Sequence, residues 1–300
     1  MSDADTIDLG HLDGPVLCFG GPYSNAQATG AMLAEAKKRD IPPERIICTG
    51  DVVAYGGDAQ SSVDLIRLAG IHVVMGNCEE SLGFNSDDCN CGFEDGSDCA
   101  QWSADWFTHA AATLDQGALA WMRRLPRQLR FTLGGRRFAV IHGGDENISE
   151  YIFASTNDAA KIEILGRLDV DAVIGGHSGL PFTQVINPRG LDTQNTNGQL
   201  WHNPGAISMP ANDATPRGWY GILTSDEGGI SITLHGLDYD YDRAAKAIRA
   251  VNPDLPYAQT LEDGLWPNMA VLPGAERKRC GIALKPAPVH WPNRLIAAAE

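Results

Sequence analysis

Residues 45–51 read Arg45-Ile46-Ile47-Cys48-Thr49-Gly50-Asp51, a β-branched run that ends in a glycine and a carboxylate. A short apolar run closed by a turn signal reads as a buried strand, and the Asp then leaves that strand at its carboxyl end. The pattern recurs three times. Residues 71–75 run into Gly76-Asn77-Cys78-Glu79, residues 138–141 into His142-Gly143, and residues 172–174 into Gly175-Gly176-His177. Open α/β folds build their sites outside the carboxyl ends of their strands, so one carboxylate, one amide oxygen and two imidazoles are expected to converge there. Hard oxygens mixed with imidazole suit Zn, Mn or Fe, and a metal so held can polarise a phosphoryl oxygen or acidify a water. Alone, His142 or His177 reads as a hydrogen-bonded core histidine and Asp51 as a turn residue. Four in matching context predict one divalent metal held by Asp51, Asn77, His142 and His177.

Strand and helix patterns alternate around these runs. A strand is expected over 15–19, a helix over 25–39 with Ser24 as its cap, a strand over 45–48, a helix over 61–68 and a strand over 71–75. After an irregular stretch come helices over 101–112 and 116–124. Residues 128–133 and 136–142, joined by Gly134-Gly135, then give a hairpin signal. A helix over 156–167 leads into the strand at Ala172, and strands dominate from Pro181, with 219–224 and 230–237 joined across Glu227-Gly228-Gly229. Two sheets packed face to face with helices outside satisfy this order, an α/β fold. A short helix is expected over 242–251. Beyond Asn252 lie Pro253, Pro256, Pro267, Pro273, Pro286, Pro288 and Pro292 of the 17 prolines, and periodicity fades. Trp266 and Trp291 in this tail predict that it packs on the domain. The expected organisation is therefore a domain over 1–251 with a Cys-rich insertion at 78–100, and a Pro-rich extension over 252–300.

At 300 residues the chain can bury a large core as one unit, and 43% hydrophobic with 20% charged residues is ordinary for a globule. The net charge of -15 opposes nucleic acid and anionic membrane as partners. Residues 1–14 are acidic and lack the basic and apolar regions of a signal peptide, and no stretch reaches the length of a membrane span. A cytoplasmic location follows as the expectation, so the seven cysteines are expected as reduced thiols or metal ligands. Their odd number also argues against a complete disulfide framework.

From Pro15 to Leu237 the sequence resembles the calcineurin-like metallophosphoesterases, especially the compact bacterial phosphodiesterase branch. The resemblance rests on Gly21-Pro22-Tyr23, Gly50-Asp51, Gly76-Asn77-Cys78-Glu79, His142 and Gly176-His177-Ser178-Gly179 in order, with Ser24-Asn25, residues 51–58 and Asn203-Pro204-Gly205-Ala206 between and after them. It implies a four-layer αββα sandwich of two mixed sheets flanked by helices. It also implies metal-dependent hydrolysis of a phosphate ester, more specifically a diester. In the family an Asp and a His of the first motif and a final His hold a first metal. Those places read Gly21, Tyr23 and Gly179 here, whereas the four other ligands stand as Asp51, Asn77, His142 and His177. The resemblance therefore implies a single retained metal.

Four of the seven cysteines, Cys78, Cys89, Cys91 and Cys99, fall in one acidic loop that begins inside the metal motif. Thiolates favour Zn, so Cys89, Cys91 and Cys99 are candidates for a structural Zn site. Ligands lent to the active metal, and free thiols or one redox-sensitive pair, are the alternatives. Three further side chains are candidates for catalysis. Tyr23 either donates to a phosphate oxygen or fills the volume of the lost metal. Cys78 sits where relatives carry a leaving-group acid or a Cys, and it reads equally as a small buried apolar residue. His202 could reach the site from a late strand or serve the structure. Glu79 and Glu80 read as surface charge. The expected partner is a small phosphorylated substrate. A degenerate member that binds a phospho-ligand without turnover, or senses metal or redox state, is the alternative on the same fold.

Overall fold

The computed structural model describes residues 5–187 and 198–293. Twelve strands among them form two six-stranded mixed sheets. The first contains β1 (Thr6–His11), β5 (Gln128–Leu133), β6 (Arg136–Val140), β7 (Ala172–Ile174), β8 (Phe182–Ile186) and β9 (Gln199–Asn203), in the order β1-β5-β6-β7-β9-β8. The second contains β2 (Val16–Phe19), β3 (Ile46–Cys48), β4 (His72–Val73), β10 (Gly218–Asp226), β11 (Gly229–Leu237) and β12 (Val289–Pro292), in the order β12-β11-β10-β2-β3-β4. Strands β2, β3 and β4 run parallel, as do β6, β7 and β9.

The alternation of side chains along each strand makes the layers. Val16 and Cys18 point between the sheets, where they meet Phe131, Phe138, Ile174, Leu223 and Trp291, while Leu17 and Phe19 point outward. The outer face of the second sheet is covered by α1 (Ala26–Lys38), α2 (Ala59–Ala69), α4 (Asp98–Thr113), α5 (Gln116–Met122), α7 (Tyr241–Val251) and α8 (Tyr257–Asp263). The outer face of the first sheet packs Ala139, Ile141, Val173 and Trp201 against Ile164 and Leu165 of α6 (Asp158–Leu168). The result is the αββα sandwich, with the central strands β2, β3 and β7 buried on both faces. That is why their sequence reads as continuous apolar runs.

Several boundaries differ from expectation for local reasons. Helix α1 is capped by Asn25, whose Oδ1 accepts from Ala28 N at 2.9 Å, rather than by Ser24. The acidic amino-terminal segment supplies β1, which pairs in parallel with β5. Asn77–Gly83 forms the short helix α3, although only a loop was expected after Cys78. At the other end, β12 pairs antiparallel with β11, and Trp291 is 1% exposed, lies against Phe138 and donates from Nε1 to Gly198 O at 2.9 Å. No helix among the described residues is long and apolar enough to cross a membrane.

Candidate metal centre

Strands β3 and β4 of the second sheet and β6 and β7 of the first all end at one edge of the sandwich, and the loops leaving them meet over the seam between the sheets. His142 Nε2 is the hub. It lies 3.2 Å from Asp51 Oδ2, 3.1 Å from Asn77 Oδ1 and 3.2 Å from His177 Nδ1. The ligand atoms of Asp51, His142 and His177 all lie within 4.8 Å of one another. The structure thus brings together all four residues singled out from the strand ends.

Three of the four side chains are aimed by a second hydrogen bond, and for Asp51 it comes from Cys78 N–H, which donates to Oδ1 at 3.3 Å. Nδ1 of His142 lies 2.6 Å from Thr49 O; a carbonyl can only accept, so Nδ1 carries the proton and Nε2 presents its lone pair. Asn77 donates from Nδ2 to Cys89 O at 2.8 Å, which turns its Oδ1 toward the hub. Asp51 and His177 both adopt left-handed backbone, at φ 55° and 51°, a conformation that non-glycine residues hold only when their surroundings enforce it. Gly50 lets the Asp51 loop come this close, since a Cβ there would stand 2.8 Å from both His142 Nδ1 and Gly76 N.

The enforcing group at Asp51 is Glu79. Expected as surface charge, it is fully buried. Its Oε2 accepts from Asp51 N at 2.8 Å and Gly76 N at 3.0 Å, and its Oε1 accepts from Val52 N at 2.8 Å and Val53 N at 3.3 Å. The first turn of α3 thereby ties the loop after β3 to the loop after β4. Burial, then the neighbouring Asp51 charge, pushes the Glu79 carboxyl up to about 7. Glu80 is half-buried and forms an ion pair with Arg127.

The electrostatics of the quartet are those of a cation site. Burial pushes the Asp51 carboxyl up, but the charge and hydrogen bond of His142 outweigh it and hold the group below its usual range. Burial likewise opposes the charge on His142, yet Asp51 and the Thr49 carbonyl win and raise it. His177 goes the other way, lowered to about 3 by burial and by His142. With the lone pair of His142 Nε2 facing the Asp51 carboxylate, the Asn77 amide oxygen and His177 Nδ1, the donor set fits a transition metal.

The other candidates divide. Tyr23 is buried, and its ring lies 2.4 Å from where a Cβ on Gly21 would stand. Its hydroxyl and the ring of Trp266 each lie 3.8 Å from the corresponding point on Gly179. The Tyr23 ring thus packs on Gly21 and its hydroxyl reaches Gly179, and these are the three positions that the resemblance assigns to a first metal. Cys78 is buried beside Asp51, and its thiol is pushed up by burial and then by that carboxylate. His202 is moved out of the reaction space. It is fully buried, Nδ1 lies 2.9 Å from Thr183 Oγ1, and Nε2 faces Gly221 of the opposite sheet.

The cysteine loop differs from a Zn site. Cys89 and Cys91 are joined by a disulfide, which leaves neither sulfur as a thiolate, and Cys99 remains as a free thiol. The backbone of this loop nevertheless serves the centre. Cys89 O holds Asn77, while Asn90 O and Cys91 O accept from Ser149 Oγ and from Tyr151 Oη at 2.9 Å. In the sequence Glu79 reads only as surface charge and Tyr151 has no assigned role. For Glu79 the usable signal was its place three residues after Gly76, where a carboxylate can reach back to the amino end of the helix.

Residues 24–228 match the family profile of the calcineurin-like phosphoesterase superfamily domain. An uncharacterized protein of Methanocaldococcus jannaschii is 26% identical over 241 residues, which span 75% of this chain and 88% of that protein. Among solved structures, the chain is similar to a metallophosphoesterase from Sphaerobacter thermophilus, with a TM-score of 0.62 and 22% identity over 85% of this chain and 100% of that one. It is also similar to a hypothetical protein from Pyrococcus horikoshii OT3, with a TM-score of 0.65 and 14% identity over 83% of this chain and 98% of the other. At such identities these two structures speak for the fold.

Proposed function

Because the chain belongs to the calcineurin-like phosphoesterase superfamily, we propose that it hydrolyses a phosphate ester, more specifically a phosphodiester, with one divalent transition metal, Zn, Mn or Fe, held by Asp51, Asn77, His142 and His177. The observation that carries this reading is the convergence of a carboxylate, an amide oxygen and two imidazoles on one point, with Asp51, Asn77 and His142 each aimed by a further contact. A metal bound there would polarise the phosphoryl group and lower the pKa of a water. Thr49 holds the tautomer of His142, Cys89 O orients the Asn77 amide, and Glu79 keeps Asp51 in its left-handed conformation. Tyr23, with its hydroxyl beside Gly179, would donate to a phosphate oxygen. A diester is favoured because the pocket beside His177 is lined by neither Lys nor Arg among the described residues. A monoanionic diester needs less compensating charge than a dianionic monoester.

The packing of Tyr23 where a first metal would sit favours a second reading, a centre that binds a phospho-ligand without turnover. Metal analysis followed by assays on phosphate mono- and diesters separates the two. Hydrolysis that depends on added Mn, Zn, Fe or Mg and falls to background in His177→Ala, with the fold retained, supports the enzyme. Absence of turnover with every metal, while inorganic phosphate still raises the melting temperature, gives the binding reading.

A further inference from the structure

Beside His177 opens a pocket of about 580 Å³, counting the space at its mouth. Its walls come from distant parts of the chain. Tyr23 follows β2, Tyr55 follows β3, Tyr151 follows β6, and Tyr257 and Trp266 belong to the carboxyl-terminal extension. The rings line the pocket in two contacting groups, one that includes His177 of the quartet and one that includes Tyr23. Tyr151 lies 4.3 Å from His177 between ring centres, Tyr23 lies 5.0 Å from Tyr55, and Tyr55 lies 4.6 Å from Tyr257. Trp266 is locked in place, its backbone N–H donating to Asn212 Oδ1 at 2.9 Å and its indole Nε1 to Pro210 O at 2.6 Å. Gly179 contributes no side chain between Tyr23 and Trp266, which leaves the floor open there.

We propose that this pocket takes a planar, uncharged aromatic group, a nucleobase or a phenyl ring, attached to the phosphate bound at the metal centre. The proposal rests on the reading of that centre as a phosphate site. Ring faces with fixed orientation favour a flat partner, because stacking gains most from π-surfaces held parallel or edge-on. The group is uncharged because Asp, Glu, Lys and Arg are all missing from the pocket lining among the described residues. A trialkylammonium group would find ring faces but no counter-charge.

Calorimetry on the Mn-loaded protein tests this without requiring turnover. Phenylphosphonate should bind about tenfold more tightly than methylphosphonate, the gain of one stacked ring, and Trp266→Ala should bring the ratio close to one. Methylphosphonate binding by that variant reports that it has folded. AMP against ribose 5-phosphate distinguishes the sources: a similar ratio assigns the pocket to a nucleobase, and a ratio near one assigns it to a smaller aryl group. Equal binding of the two phosphonates by the native protein, an unchanged ratio in Trp266→Ala, or tighter binding of phosphocholine than of phenylphosphonate would overturn the proposal. A protein that shows the phenyl preference but cleaves no ester refutes the hydrolase reading alone. One that cleaves diesters without any aromatic preference refutes this inference alone.

Discussion

Replacing Glu79 by Ala removes the acceptor of four buried backbone N–H groups, those of Asp51, Val52, Val53 and Gly76. An orphaned buried donor costs about 1–3 kcal/mol, so four at about 1.5 each amount to about 6 kcal/mol. Part is returned. Holding this carboxylate charged beside Asp51, with its pKa moved from 4.5 to about 7, costs about 3 kcal/mol that the variant no longer bears. The net loss is about 3 kcal/mol. With an unfolding entropy of roughly 2 cal/mol/K per residue over 300 residues, the melting temperature should fall by about 5 °C. The larger effect should be on metal binding, because Asp51 loses the contact that enforces its left-handed conformation. A 10- to 100-fold weaker Mn or Zn isotherm is expected, about the range for loss of a group that orients a ligand. Thermal denaturation and metal titration of the two proteins provide the check. A melting temperature within about 1 °C of the native protein, together with an unchanged isotherm, would refute the assignment of Glu79 as the brace between the two loops.

Thiol titration in denaturant should find five reactive sulfhydryls before reduction and seven after it; seven without reductant would remove the Cys89–Cys91 disulfide. Reduction of the native protein should also weaken metal binding by about tenfold, since Asn77 is oriented by Cys89 O, and an unchanged isotherm would separate the loop from the centre. His202 should make stability pH-dependent on the acid side. Its pKa in the fold is lowered by burial to about 3 from the ordinary 6.5, so the unfolded chain takes up a proton first. The stabilisation is complete above about pH 6.5 and is lost toward pH 3, with a slope of at most about 1.4 kcal/mol per pH unit. His202→Gln should flatten the denaturation midpoint between pH 6.5 and 4.5 relative to the native protein, and parallel profiles would count against it.

The four strand-end residues are legible in the sequence because two local constraints coincide there. A buried strand must be apolar until it reaches the sheet edge, and a metal accepts few ligand types, so the change from Ile47-Cys48 to Gly50-Asp51, or from Val140-Ile141 to His142, marks both at once. The αββα layering was legible for the same reason, in apolar runs alternating with helical periods and in the Gly134-Gly135 hairpin. The roles of Glu79, His202, Tyr23 and the cysteine loop were not. Each depends on which backbone or ring arrives from a segment far along the chain. Glu79 becomes a brace only when the loop after β3 folds onto α3, and His202 becomes a core residue only when Gly221 of the other sheet lies over it. Tyr23 fills a vacated ligand space only when Trp266 and Gly179 close around it. Spacing along the chain carries strand ends and ligand chemistry, because these are properties of neighbouring residues. Burial and partnership belong to pairs of segments, and they arise when the two sheets pack and the carboxyl-terminal extension returns across them.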